Sequence, residues 1–191
     1  METSQERIDQ LAQEILAKDV CSELRVQASQ LVMGDGDPNA DIVFIGEAPG
    51  KKEDIEGKPF VGASGKFLNV MLEAAGMVRD DVYITNIVKY RPPGNRDPSE
   101  IEKAAFSPYL NEQIAIINPK VIITLGKHSL RHFLPDGELS ELHGRPQQID
   151  LNGREATLIP LYHPAYALYN GGNKQLLIDD FLGASKIAKE K

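Results

Sequence analysis

The chain has 191 residues, 41% hydrophobic and 26% charged, with 16 Gly and 12 Pro; this suits one domain, residues 1–191, with a sizeable core, and excludes collagen-like, low-complexity and fully disordered chains. Its 28 acidic against 21 basic side chains give a net charge of −7, which argues against a broad non-specific nucleic-acid binder while leaving room for a local basic patch. One cysteine, Cys21, cannot form an internal disulfide or hold a metal centre on four cysteines; with no apolar run long enough to span a bilayer, and with polar residues 1–10 that do not read as a signal peptide, a cytoplasmic monomer is expected.

In chain order, residues 3–18 read as a helix. Four short β-branched runs follow at 41–46, 82–88, 121–126 and 156–162. Near-continuous apolar runs of this length read as strands buried on both faces, as in a parallel sheet. Between them, residues 64–75 carry Phe67, Leu68, Met71 and Leu72 at helical spacing and stop at Gly76. Residues 99–117 open with a capping box, Ser99 with Glu102, just after Pro98. Residues 147–158 read as a hairpin turning at Asn152-Gly153, and 174–188 as a final helix. Strands alternating with helices predict an α/β fold. Such sheets bind ligands at the carboxyl ends of their strands, which selects residues 46–50, 86–96, 126–128 and 163–169.

Those segments carry the residues able to do chemistry. Glu47 stands between Gly46 and Ala48-Pro49-Gly50 at a strand end, where a carboxylate can orient water or stabilise a cation, or simply decorate a turn. Glu53 and Asp54 follow and read as solvated charges. Phe60 lies in a Gly/Pro-rich loop, 57–65, and either folds under that loop or stacks on a planar ligand; stacking on a base is worth ~1–3 kcal/mol. Asn86 sits in an apolar strand and must find partners; it either caps a loop or matches adjacent carbonyl and N–H groups of a pyrimidine edge. Lys89, Arg91 and Arg96 form a cationic cluster suited to phosphates or to solvent. His163, at the last strand end, is able to donate to a developing anion. His128, His132 and His143 have no metal-ligand spacing with it, and no P-loop, dinucleotide fingerprint or Ser-His-Asp arrangement is present.

Taken together and in order, Gly46-Glu47-Ala48-Pro49-Gly50 with Glu53 and Asp54, Gly57-Lys58-Pro59-Phe60-Val61-Gly62, Val82-Tyr83-Ile84-Thr85-Asn86, Lys89 with Arg91-Pro92-Pro93-Gly94-Asn95-Arg96, and His163-Pro164-Ala165-Tyr166 resemble family 4 uracil-DNA glycosylases, within the uracil-DNA glycosylase superfamily. The resemblance implies a three-layer α/β/α fold with a four-stranded parallel sheet. It implies as partner uracil-containing DNA, single- or double-stranded, from which the base is flipped out and hydrolytically excised. Phe60 would stack on the base, Asn86 would read its N3–H and O4 edge, and Gly46 and Ala48 would lie beside it. His163 would hydrogen-bond O2 as the glycosidic bond breaks, with Glu47 or Glu53 stabilising the sugar cation or positioning water. Lys89, Arg91, Arg96, Ala167 and Leu168 would contact DNA, the last two from a wedging loop.

Three departures matter. Family 4 enzymes typically hold a [4Fe–4S] cluster on four cysteines; the corresponding places here fall at Asp19, Ser22, Tyr90 and Phe106, so no cluster is expected and Tyr90 and Phe106 are expected to fill that volume. Tyr169 stands where relatives often carry Arg. Ala48 stands where some other families have a water-activating Asp. The loop after the second strand holds no histidine, so covalent uracil trapping is not expected, and no lysine is placed for Schiff-base chemistry. Two other readings stay open: a non-catalytic DNA- or base-binding module, and a glycosylase for another deaminated base such as hypoxanthine.

Overall fold

The structure, a computed structural model, describes residues 2–151, 153–169 and 172–190; Asn152 of the expected turn and the Tyr169 side chain lie outside the described residues. Six strands form one sheet. They are β1 (Asp35–Gly36), β2 (Ile42–Gly46), β3 (Tyr83–Asn86), β4 (Val121–Leu125), β5 (Gln147–Asp150) and β6 (Glu155–Leu161), in the order β1-β3-β2-β4-β6-β5. The inner four, β3-β2-β4-β6, run parallel and are the four apolar runs read from the sequence. β1 and β5 add antiparallel edges, so the sheet has six strands rather than four. β5 is the first arm of the expected hairpin. β1 is a two-residue Asp-Gly pairing with no apolar pattern to betray it.

Nine helices are described: α1 (Ser4–Ala17), α2 (Ser22–Arg25), α3 (Lys51–Glu56), α4 (Ala63–Ala74), α5 (Glu100–Ile117), α6 (Lys127–Phe133), α7 (Leu139–Leu142), α8 (Tyr166–Tyr169) and α9 (Asn173–Lys189). Capping boxes start α1, through Thr3 and Glu6, and α5, through Ser99 and Glu102. Alternation along each inner strand splits the core into two layers. On β2, Val43 and Ile45 pack with Ile8, Leu11 and Ile15 of α1 and Phe106, Leu110 and Ile114 of α5. Ile42 and Phe44 pack on the other face with Phe67, Leu68 and Met71 of α4 and Leu177 and Phe181 of α9. The architecture is therefore α/β/α.

The chain passes from β2 to β3 through α3 and α4, then returns across β2 to β4 through α5 on the opposite face. The strand order reverses at β2, and doubly wound sheets open a crevice at that reversal, outside the strands' carboxyl ends. Gly46, Asn86, Gly126 and His163 all stand there. No described helix is long and apolar enough to cross a membrane.

Candidate active site

β2 ends at Gly46 and β3 at Asn86, in register with one another. A Cβ on Gly46 would fall 2.5 Å from Asn86 Oδ1 and 2.6 Å from the Phe60 ring, so only glycine lets the amide and the ring meet at this strand end. Phe60 adopts φ +51°, a left-handed conformation that is rare for a bulky residue. Two contacts impose it. Helix α4 passes so close that a Cβ on Gly65 would lie 1.8 Å from the Phe60 carbonyl oxygen. Glu53 Oε1 accepts the N–H groups of Val61 at 3.0 Å and Gly62 at 2.7 Å, tying α3 to the loop. Strain of this kind, held by surrounding structure, fits a preorganised site.

His163 follows β6 and faces Phe60, ring centroids 5.6 Å apart. Its Nδ1 accepts the Ala165 N–H at 3.1 Å, which leaves the ring proton on Nε2. Burial pulls its pKa down to about 4, against a small opposing pull from Glu53, so the ring is neutral at pH 7. Ala48, Gly50, Glu53, Phe60, Ser64, Asn86 and His163 line a cavity of about 140 Å³. At ~30 Å³ per water, that holds the volume of roughly five waters, room for one planar ring. Asn86 is 2% exposed, yet its side-chain amide makes no hydrogen bond among the described residues. The 450 Å³ groove between α1 and α5, lined by Arg7, Glu14, Lys18 and Glu112, is a charged surface feature; a second hollow of that size, lined by Ile87, Glu100, Lys103, His128 and Arg131, lies beside the ends of β3 and β4.

Glu47 borders the cavity without lining it. Its carboxylate turns toward His128, 3.8 Å from Nε2, and its pKa is pushed up to about 7, first by burial and then by Asp97, against Lys127 and Lys103. The two candidate acids thus differ. Glu53 lines the cavity but spends an oxygen on two backbone donors, whereas Glu47 is half-buried and poised near neutrality.

Several sequence expectations need correcting. Lys89 does not face DNA: it is fully buried, and its ammonium donates to Thr85 Oγ1 at 2.6 Å, Gln113 Oε1 at 2.6 Å and the Asn86 carbonyl at 2.8 Å. It braces the strand end that carries Asn86. Ala167 is also buried, packed in the core layer of α9, so its side chain cannot wedge into DNA, while Leu168 next to it is 48% exposed. Arg96 is engaged in a two-pronged ion pair with Glu102 at 2.6 and 2.8 Å, and Arg91 donates to Asn95 Oδ1 at 2.6 Å. Asp54 is not a solvated charge: it is buried on α3 and accepts from Ser29 N and Oγ, both at 2.8 Å. Ser64 of the lining and Asp97 beside Glu47 escaped sequence reasoning because nothing in their local spacing marks them; His128 lies in the selected segment 126–128, but its spacing gave it no role.

At the places where the resemblance would put an iron–sulfur cluster, Asp19, Ser22, Tyr90 and Phe106 offer no thiolate. Tyr90 and Phe106 are buried and pack edge to face, centroids 5.8 Å apart. Cys21 is the one thiol in the chain, and burial pushes its pKa up to about 11. The Tyr90 hydroxyl is buried without a hydrogen-bond partner among the described residues.

Residues 33–182 match the model of the uracil DNA glycosylase superfamily. A type-4 uracil-DNA glycosylase of Sulfurisphaera tokodaii is 43% identical over 95% of this chain and 84% of its own length. Those of Archaeoglobus fulgidus and Thermotoga maritima are 37% and 38% identical, covering 97% and 98% of this chain and 96% and 98% of their own. The chain belongs to the uracil-DNA glycosylase superfamily.

Proposed function

We propose that the chain is a monofunctional DNA-repair hydrolase that flips uracil out of DNA and cleaves its glycosidic bond, leaving an abasic site. The observation that carries the reading is the Asn86 amide, which has no hydrogen-bond partner among the described residues and opens onto a base-sized cavity lined by Phe60 and His163. A bound base supplies the donor and acceptor that the protein does not give this amide.

Flipping the nucleotide costs a few kcal/mol, least for a mispaired U·G. Stacking on Phe60 returns part of this, ~1–3 kcal/mol. Asn86 Oδ1 accepts from uracil N3–H, and Nδ2 donates to O4. Cytosine presents the reverse pattern, and a mispaired polar edge in a buried site gives rejection on the order of 10⁴–10⁵. As the N1–C1′ bond breaks, negative charge spreads to O2, where the Nε2–H of neutral His163 donates; removing one such donor costs ~10²–10³ in rate. Glu47 takes the proton of the attacking water, and Glu53 holds the loop that presents Phe60. Leu168 enters the DNA beside the flipped nucleotide, and Arg91 meets phosphate. The protein works as one domain and as a cytoplasmic monomer, with no iron–sulfur cluster.

The experiment incubates the protein with oligonucleotides carrying uracil, opposite guanine or single-stranded, then reveals abasic sites with alkali. Release of uracil is expected, with Asn86→Ala and His163→Ala each losing at least ~10²-fold while staying folded. Release of hypoxanthine alone, or a gel shift without release, would replace this reading.

A further inference from the structure

His128 and Asp97 lie outside the cavity and have no part in gripping a base, yet they converge on Glu47. Gly126 follows β4 and caps α6, of which His128 is the second residue; Asp97 comes from the segment before α5. His128 Nε2 is 3.1 Å from Asp97 Oδ2 and 3.8 Å from Glu47 Oε2, and the three reacting atoms all lie within 4.8 Å of one another. Side-chain exposure is 28% at Glu47, 16% at His128 and 69% at Asp97, so the Asp97 end of the group is open to solvent. Lys103 and Lys127 also face this group, and Glu100 faces His128.

We propose that His128 and Asp97 are positioning residues that carry the proton collected by Glu47 out to solvent; this rests on the role assigned to Glu47 above. Hydrolysis requires such an exit. The water oxygen bonds to C1′ while the C1′–N1 bond breaks, its electron pair leaving with uracil. One water proton passes to the Glu47 carboxylate, and with DNA over the strand ends that acid is cut off from bulk water. With the ring proton on Nδ1, His128 Nε2 takes the proton from Glu47 after a small side-chain adjustment to hydrogen-bond distance, and the new Nε2–H then donates to Asp97 Oδ2, 3.1 Å away. Asp97 stabilises the imidazolium, which then releases the proton to solvent, and the uracil anion is protonated after it leaves. The acidities agree with this geometry: the Glu47 carboxyl is pushed up to about 7, and burial lowers His128 while Asp97 raises it, so neither site traps the proton.

The test is single-turnover excision from a uracil oligonucleotide across the acid and alkaline limbs of the pH profile. His128→Ala is expected to slow excision about tenfold, short of the ~10²–10⁴ carried by a general base itself, and added imidazole should restore the rate. Asp97→Asn, at an exposed position, should shift the acid limb to lower pH, because it removes a negative neighbour that raises Glu47. Unchanged rates and profiles, or a slow His128→Ala enzyme that imidazole cannot rescue, would overturn the exit route. So would excision that fails in EDTA and returns with Mg²⁺ or Mn²⁺, which would make the three groups a metal site. Glu47→Gln separates the levels. If it keeps full activity, the Glu47 role fails; if it is inactive while the His128 and Asp97 variants behave as wild type, only the exit route fails.

Discussion

Lys89→Met distinguishes a buried brace from a phosphate contact. The ammonium is completely desolvated and donates to three acceptors at 2.6–2.8 Å. Thr85 keeps a bond to the Met33 carbonyl, but the Asn86 carbonyl and Gln113 Oε1 lose their best donor. At ~1–3 kcal/mol for each acceptor left unpaired, the loss is ~2–6 kcal/mol. Relief of the ammonium's own desolvation offsets part of that, so a net destabilisation of about 2–3 kcal/mol is expected. Burial also pulls the lysine pKa down to about 7. Between that value and its unfolded value near ~10.4, the native state binds fewer protons than the unfolded state, so wild-type stability rises with pH across this window. The slope approaches ~1.4 kcal/mol per pH unit, and the methionine variant should lack it. Urea unfolding of both proteins at several pH values between neutral and alkaline reads both effects. The salt dependence of DNA binding supplies the contrast: a phosphate contact would reduce the log–log slope by ~0.9, whereas a brace leaves it unchanged. Unaltered stability together with a shallower salt slope would refute the reasoning.

Gly46→Ala places a methyl 2.5 Å from Asn86 Oδ1 and 2.6 Å from the Phe60 ring; uracil excision should fall by more than tenfold, because misplacement of ~1 Å costs on the order of 10², and a wild-type rate would contradict the site geometry. Tyr90→Phe removes a buried hydroxyl that has no partner among the described residues; its urea midpoint should hold or rise, since losing an unsatisfied polar group removes a ~1–3 kcal/mol cost, and a loss above ~1 kcal/mol would show that the hydroxyl is bonded.

Much of the fold was legible because its signals are local. Continuous β-branched runs gave the four inner strands, and the Ser99–Glu102 box fixed the start of α5 to the residue. The ordered motifs also named Phe60, Asn86 and His163, which the structure brings to one cavity. What stayed hidden depends on distant partners. Lys89 reads as a surface charge among Arg91 and Arg96 until Gln113, 24 residues away, is seen to accept its hydrogen bond. Asp54 looks solvated until Ser29 closes on it. Asp97 and His128 are 31 positions apart and meet only because α5 and α6 begin on the same side of the sheet's carboxyl edge. Glu47 and Glu53 are equivalent as letters; backbone donors on one and burial of the other separate them.

The most direct measurement follows the Asn86 side-chain amide by heteronuclear NMR as free uracil, and separately 3-methyluracil, is titrated into the protein. The account predicts that uracil shifts the Asn86 NH₂ resonances and that 3-methyluracil, lacking the N3–H donor, leaves them in place. Equal responses to both, or a uracil response confined to residues away from Phe60, Asn86 and His163, would contradict it.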